Sequence, residues 1–341
     1  LYRIVASLFY FSLFYKSPLA IALYVIILNF RGASAAAKLQ AFLTKALLGG
    51  MLLAMIVSFI KGSPKNILPT FEQVQGPLTE TEASGMFPGI VSVLVMTPFF
   101  YAGFDTIPQQ AEEASSDLDW TKFGRVISAA LLASGVFYMI CIYSFGTIIP
   151  WTEFIKSTVP ALAVLKRINM ILYVAMLIVA TLGPMGPMNS FYGATSRIML
   201  AMGRKGQLPP AFAKLDANGV PRTANICMAI FTLVGPFLGK KMLVPLTNVS
   251  ALAFIFSCTM VCFSCFKMRY TEPDLKRPFK VPGGKFGIAL GCIAGLIVIG
   301  LLVVPASPAS LKPVEWIIVA VWLLIGLILK LVSAQLHKKK S

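Results

Sequence analysis

Long apolar runs separated by short polar loops constrain the fold of this chain more than any other feature. As an α-helix, a run of about 20 apolar residues is long enough to cross the hydrocarbon core of a bilayer. A helix also satisfies its backbone polar groups internally, as a membrane requires. The candidate spans are residues 17–30, 38–60, 88–111, 123–149, 169–202, 223–239, 243–266, 284–304 and 313–335. The sequence therefore predicts an all-α integral membrane protein, a multi-helix bundle with these spans and with residues 1–14 as the end of one more.

The composition excludes most soluble classes of protein. Of the 341 residues, 57% are hydrophobic and 13% are charged, whereas soluble domains are about half apolar and about a quarter charged. The formal charge is +17, but the basic residues lie between apolar runs and form no stripe with interleaved aromatic residues. No nucleic-acid partner is therefore expected. With a single His in the chain, no nucleophile–base pair with a positioned His is available, and the protein is not expected to be an enzyme.

The six cysteines all lie in apolar stretches. Cys258, Cys262 and Cys265 have helical spacing, but a single His elsewhere in the chain makes a metal site an unfavourable interpretation. The pattern is also not that of a secreted disulfide framework. We interpret these residues as free thiols in the membrane and predict no metal and no cofactor.

The basic residues also predict an orientation. The loops at 31–38, 112–122, 203–222 and 267–285 and the C-terminus hold more Lys and Arg than the loops between them. Because positively charged loops stay in the cytoplasm, these segments and the C-terminus are predicted to be cytoplasmic. The expected location is the plasma membrane, or cell inner membrane.

The most informative polar stretch is Thr97–Pro108, which lies inside a predicted span. Pro98 and Pro108 each remove a backbone donor, and Gly103 weakens the helix between them. Broken membrane helices of this kind expose carbonyl and amide groups and build substrate sites in secondary transporters. A simple proline kink is the alternative interpretation.

Five stretches carry a family resemblance, and they occur in the family's order. They are Asn29–Ala33 and residues 98–117, 189–212, 219–225 and 272–284. With them the chain resembles the amino acid–polyamine–organocation (APC) transporter superfamily, and in particular its amino acid permeases.

The resemblance implies a five-plus-five inverted-repeat bundle of twelve helices. Residues 1–341 would then form one permease domain, with 1–14 as the remnant of family helix 3 and 17–60 as helices 4 and 5. Residues 88–266 would be helices 6–10, the second repeat, and 284–335 helices 11 and 12. On that count family helices 1 and 2 and most of helix 3 are expected to be absent from this chain, and the chain alone is not expected to transport.

The resemblance also implies the site residues. In the family, the broken sixth helix supplies carbonyls to the substrate ammonium and an aromatic side chain that closes over the substrate. The matching substrate-binding positions are Phe99, Phe100, Tyr101, Ala102, Gly103 and, on the eighth helix, Phe191. Ser190 falls in the region where sodium-coupled relatives bind a cation.

Asp105 lies where many family members have an acidic residue just after the break. It is a candidate gating and proton-linked residue. The alternative is that Asp105 caps the helix that restarts at Thr106.

The function implied is secondary active transport of amino acids by alternating access, coupled to protons or to exchange. The alternatives are transport of a polyamine or another organic cation, a channel, or a transport-inactive membrane sensor on the same scaffold. The expected partners are an amino acid substrate, a coupling proton and the lipid bilayer. Some eukaryotic members of the family link to a glycoprotein heavy chain through a cysteine in the loop between helices 3 and 4. The matching loop here, Tyr15–Lys16–Ser17, contains no Cys, so no disulfide-linked heavy chain is expected.

Overall fold

The computed structural model describes residues 19–30, 33–67, 86–109, 119–150, 153, 160–217, 219–277 and 279–338. Within these ranges the chain is helical and contains no β-strand, which confirms the predicted all-α class. The predictions for residues 1–14 and for Tyr15–Lys16–Ser17 lie outside the described residues.

Twelve α-helices follow one another within the described ranges. They are α1 (Leu19–Phe30), α2 (Ala33–Lys61), α3 (Met86–Tyr101), α4 (Thr106–Gln109), α5 (Trp120–Gly146), α6 (Pro160–Ile168), α7 (Met170–Leu182), α8 (Met185–Arg204), α9 (Arg222–Val234), α10 (Leu243–Thr271), α11 (Gly284–Val303) and α12 (Pro313–Lys338). Short 3₁₀ helices occur at Pro64–Ile67, Pro210–Ala213, Gly235–Leu238 and Lys240–Met242.

Five of these helices contain stretches long and apolar enough to cross a membrane. The stretches are Thr44–Lys61, Lys122–Gly146, Leu243–Thr271, Gly284–Val303 and Pro313–Leu336. Three further predicted spans correspond to shorter apolar segments, Leu19–Phe30, Met86–Tyr101 and Arg222–Leu238. Many large apolar side chains on these helices point outward, such as Leu132 (75% exposed) and Trp322 (64% exposed). Such a surface is suited to lipid and not to water.

The prediction of one continuous span over residues 169–202 is wrong at its centre. The segment forms two helices, α7 and α8, which are separated by a turn at Gly183–Pro184. Proline has no amide hydrogen to donate and its ring clashes with the carbonyl of the preceding turn, so Pro184 ends the first helix and lies at the start of the second. An additional helix, α6, lies in the segment that the sequence placed in a loop.

Three apolar clusters hold the described helices together. The first joins α2, α5, α6 and α7 through Ala54, Phe145, Leu165 and Met176, among others. The second joins α1, α8 and α9 around Tyr192. The third joins α3, α10, α11 and α12 around Val95, Leu302 and Leu311, the last of which precedes α12.

Helices α10 and α11 approach each other closely, because glycine on one helix faces a small side chain on the other. At Gly295 there is no room for a Cβ beside the Thr259 side chain, and Gly291 faces Cys262. Small residues at such contacts let helix backbones come together in a membrane. Helix α3 packs against both α10 and α11.

Candidate functional site

The predicted helix break is present between α3 and α4. Helix α3 continues through Pro98 and ends at Tyr101, and a turn over residues 102–105 leads into α4 at Thr106. We call residues 102–105 the α3–α4 break. The sequence predicts that residues around Phe99–Asp105 are non-helical or kinked. Residues 102–105 form a turn, whereas Phe99, Phe100 and Tyr101 remain helical.

Gly103 makes the turn possible. Its φ angle is 129°, in the left-handed region that side chains with a Cβ rarely adopt. No atom within 4 Å would meet a Cβ at this position, so the requirement for glycine comes from the backbone conformation and not from lack of space. The residue type that weakened the helix in the sequence is therefore also the one that the turn needs.

Asp105 closes the same turn. Its Oδ1 accepts a hydrogen bond from the Gly103 amide at 2.9 Å. The Thr106 hydroxyl and amide both donate to the Gly103 carbonyl, at 2.6 and 3.1 Å. The carboxylate thus accepts from an amide that precedes it in the chain. Neither the gating nor the capping interpretation of Asp105 predicted this hydrogen bond. Gating and capping both remain predictions for this residue.

Tyr138 on α5 holds the other side of the break. Its hydroxyl donates to the Phe100 carbonyl at 3.1 Å. Its ring lies 6.5 Å from the ring of Phe100 and 6.1 Å from that of Tyr101, in edge-to-face arrangements that favour aromatic pairs. The Tyr101 hydroxyl packs against Gly135, one turn before Tyr138. Tyr138 could not be singled out from the sequence, because no local signal distinguishes it from the other aromatic residues of an apolar helix.

The Phe100 carbonyl was predicted to face a substrate cation, and Tyr138 already engages it. A carbonyl oxygen has two lone pairs, so it can accept a second donor while Tyr138 keeps its orientation fixed. The rings of Phe99 and Phe100 are 41% and 49% exposed, which leaves both available for contact with a ligand.

Two further helices border the break. The Phe104 ring lies 5.9 Å from Phe254 on α10 in an edge-to-face arrangement, and α4 contacts α8. The break is therefore bordered by α5 and α10, and α4, which follows it, is bordered by α8.

The predicted α8 residues lie on a helix that reaches the site, but they do not bond to the break. Phe191 is 39% exposed, and Ser190 is half-buried. Within the described ranges, no hydrogen bond or ring contact joins Phe191 to residues 99–105. The predicted residues at the end of α3 and in the break lie together, because they are consecutive or nearly so in the chain (Phe99, Phe100, Tyr101, Ala102, Gly103 and Asp105). Phe191 and Ser190 share only the helix α8 that contacts α4.

Three of the stretches that carried the family resemblance meet elsewhere. Asn29 on α1 donates to the Asn189 side chain on α8 at 2.7 Å. The Tyr192 hydroxyl donates to the Asn225 carbonyl on α9 at 2.5 Å, and the Asn225 side chain donates to the Asn29 carbonyl at 3.4 Å. These four residues, which we call the asparagine network, tie α1, α8 and α9 together.

No group of three or more His, Cys, Asp or Glu residues that could hold a metal ion occurs within the part of the chain that the structure describes. The polar groups in and beside the α3–α4 break are backbone amides and carbonyls, the Asp105 carboxylate, the Thr106 hydroxyl and the phenols of Tyr101 and Tyr138. Such a set can bind an organic cation or a zwitterion through carbonyls and aromatic faces.

The sequence matches one protein family and several known transporters. A family model described as "Amino acid permease" matches residues 9–328. The branched-chain amino acid permease BcaP of Lactococcus lactis is 27% identical over 94% of this chain and 67% of its own length. The human cystine/glutamate transporter is 26% identical over 76% of the chain and 50% of its own length. The polyamine transporter RMV1 of Arabidopsis thaliana is 28% identical over 41% of the chain and 27% of its own length.

These matches cover about half to two thirds of the first two relatives. The substrates named for the three proteins are chemically different, yet the identities lie within a narrow range. Identity alone therefore selects no substrate among them.

Proposed function

This chain belongs to the amino acid permease family, and we propose that the protein carries amino acids across a membrane by alternating access, with coupling to protons or to exchange. The observation that carries the proposal is the α3–α4 break, with its positive-φ glycine and its aromatic flank. A broken helix offers oriented carbonyls to an ammonium group without a buried carboxylate.

The proposed contacts follow from the local geometry. Phe99, at 41% exposed, would cover the substrate side chain. The carbonyl of Phe100, oriented by Tyr138, would accept from the substrate ammonium. Phe191 on α8 would flank the substrate pocket, and Ser190 beside it would line a possible cation site.

Transport is tested by reconstituting the protein in liposomes and measuring uptake of a labelled amino acid mixture. We expect saturable uptake by a form that carries all twelve family helices and none by this chain alone. In the twelve-helix form we expect Phe99→Ala to lower uptake by about fivefold, because one aromatic contact contributes on the order of 1 kcal/mol beyond its buried area. Phe87→Ala is the matched control, since Phe87 lies on the same helix α3 and is 73% exposed. Absence of saturable uptake by the twelve-helix form would favour the sensor alternative.

Coupling is tested at Asp105, where two substitutions separate the alternatives. In Asp105→Asn the amide oxygen can still accept from the Gly103 amide, so the turn is retained but the proton site is lost. Asp105→Ala removes both. If Asp105 is proton-linked, Asp105→Asn abolishes the acceleration of uptake by an inward proton gradient and leaves exchange intact. Equal responses of the Asn variant and the wild type to the gradient would limit Asp105 to a structural role.

The organic-cation alternative is favoured by the likeness to RMV1, which is named a polyamine transporter. Labelled spermidine is therefore included as a separate substrate in the same assay. Uptake of spermidine without uptake of any amino acid would replace the first proposal by this one.

A further inference from the structure

A groove of about 610 Å³ lies away from the α3–α4 break, where α5 begins and α10 ends. Phe123 of α5 and Val261, Cys265 and Met268 of α10 form much of its lining. One wall comes from the loop after α10, through Leu275, Lys276, Arg277, Phe279 and Val281. Both α5 and α10 contain stretches long and apolar enough to cross a membrane. The groove therefore lies near the level at which two membrane-spanning helices leave the bilayer.

The loop that forms this wall is bound to both helices, α5 and α10. Phe279 lies so close to Gly124 of α5 that a Cβ there would clash with the ring. Arg277 donates to four carbonyls at the end of α10 and in the loop, those of Met268, Glu272, Pro273 and Leu275, at 2.6 to 3.0 Å. Since its guanidinium is engaged in this way, Arg277 shapes the groove, and a ligand must find its charge partner elsewhere.

Arg269 and Lys276 supply that charge. Both line the groove. The Nε of Arg269 is buried and has no hydrogen-bond partner among the described residues, and Lys276 is exposed. A buried donor without an acceptor is unfavourable, so an anion at this place would be stabilised by a charge-assisted hydrogen bond. Residues 267–285 add to the field, because their basic side chains (Lys267, Arg269, Lys276, Arg277, Lys280, Lys285) outnumber the acidic ones (Glu272, Asp274).

The rest of the groove is apolar and open. Val261 is 66% exposed, Leu275 is 47% exposed and Met268 is 40% exposed. An occupant that matches this surface carries an acidic head next to an apolar tail. A free anion would leave these side chains uncovered.

We propose that this groove binds an anionic glycerophospholipid from the leaflet on its side of the membrane. The phosphate lies between Arg269 and Lys276, and an acyl chain lies along Val261, Cys265 and Met268. Basic pockets between membrane helices suit acidic lipid headgroups for the same electrostatic reason. Because one wall is the loop that Arg277 fastens to the end of α10, a bound lipid would stabilise the arrangement of α5 and α10.

The test is lipid retention by the purified protein, measured by native mass spectrometry during titration with phosphatidylglycerol or with phosphatidylcholine of the same acyl chains. We expect tighter retention of phosphatidylglycerol. Lys276→Gln should weaken it by about fivefold, as expected for one basic side chain near an anionic headgroup, and Arg269→Gln should weaken it further. Lys205→Gln is the matched control, since Lys205 is an exposed lysine outside the groove.

Three results would overturn the proposal. They are equal retention of the two lipids, an equal loss in Lys205→Gln and Lys276→Gln, and displacement of phosphatidylglycerol by soluble glycerol phosphate at the same concentration. The last result would mean that the groove binds a phosphate group alone. Lys276 is an exposed loop residue, so its variant is expected to fold even if Arg269→Gln does not, and the test does not depend on transport.

Discussion

Gly103 and the residues bonded to it carry the local geometry of the candidate site. Its φ angle of 129° turns the chain, and the Asp105 carboxylate and Thr106 hydroxyl then bond to its amide and carbonyl. Tyr138 holds the Phe100 carbonyl from the neighbouring helix. The site is therefore positioned by one backbone conformation and a few hydrogen bonds, which makes it sensitive to single substitutions.

Gly103→Ala should destabilise the protein by about 1–3 kcal/mol, the usual cost of holding a residue with a Cβ in a sparsely populated backbone region. Gly89→Ala is the control. Gly89 also has open space around it, but it lies within α3 and has no positive φ. There alanine should stabilise by about 0.5–1 kcal/mol. Thermal unfolding in detergent measures both. Equal effects of the two substitutions would show that the turn does not depend on the conformation of Gly103.

At the scale of single elements, α12 shows how a helix is fixed at its start. Pro313 is its first residue, and Glu315 is 2% exposed. The Glu315 carboxylate accepts from the Lys312 amide and from the Asn248 side chain of α10, both at 2.6 Å. The first bond is one half of a capping box, and the second fastens α12 to α10.

Glu315→Ala should lower the free energy of unfolding by about 1–3 kcal/mol, because the donors of Asn248 and Lys312 would lose an acceptor in a buried place. In Glu315→Gln the side-chain oxygen can still accept one of the two hydrogen bonds. This substitution should therefore lower the free energy of unfolding by less than Glu315→Ala does. Asp274→Ala serves as the control, since Asp274 is an exposed loop residue. The apparent unfolding temperature reports the difference. No difference between Glu315→Ala and Asp274→Ala would exclude a stabilising role for this carboxylate.

At the scale of the whole molecule, the asparagine network joins helices that are far apart in the chain. Asn29 and Asn189 are 160 residues apart, and Asn189 and Asn225 are 4% and 2% exposed. Together with the Tyr192 bond to α9, these contacts fasten α1, α8 and α9 into one unit.

A double-mutant cycle tests this link. Asn29→Ala and Asn189→Ala should each destabilise the protein. Their coupling energy should be about 0.6 kcal/mol and no more than about 1.7 kcal/mol, the mean and the maximum found for hydrogen bonds between membrane helices. Asn29→Ala with Asn248→Ala is the control cycle, since Asn248 bonds to Glu315 instead. Chemical or thermal unfolding in detergent measures all the variants. A coupling near zero in the first cycle would contradict the proposed link.

The groove at the end of α10 also belongs to the whole molecule, since its residues come from α5, α10 and the loop after α10. It adds a lipid-dependent contact between helices that border the α3–α4 break. The five-plus-five repeat and the cytoplasmic C-terminus stay predictions at this scale.

Much of the architecture could be predicted from the sequence, because insertion into a membrane depends on local properties. Apolar runs with short basic loops identified the helices, and Gly103 identified the break, since its positive φ is a conformation that glycine adopts without strain. Pro98 and Pro108 flank the break but lie within α3 and α4. The division of 169–202 into α7 and α8 also had a local signal, in Gly183 and Pro184. The strong hydropathy of the segment obscured it.

The tertiary structure alone decided which side chains meet. Tyr138 donates to the carbonyl of Phe100, 38 positions away in the chain. Asn29 donates to Asn189, which is 160 positions away. The sequence singled out the stretches that contain Asn29, Asn189 and Asn225 but could not assign them a common role. Hydropathy is a sum over neighbours along the chain, whereas a hydrogen bond between helices depends on how those helices rotate and cross, which only the packed bundle determines.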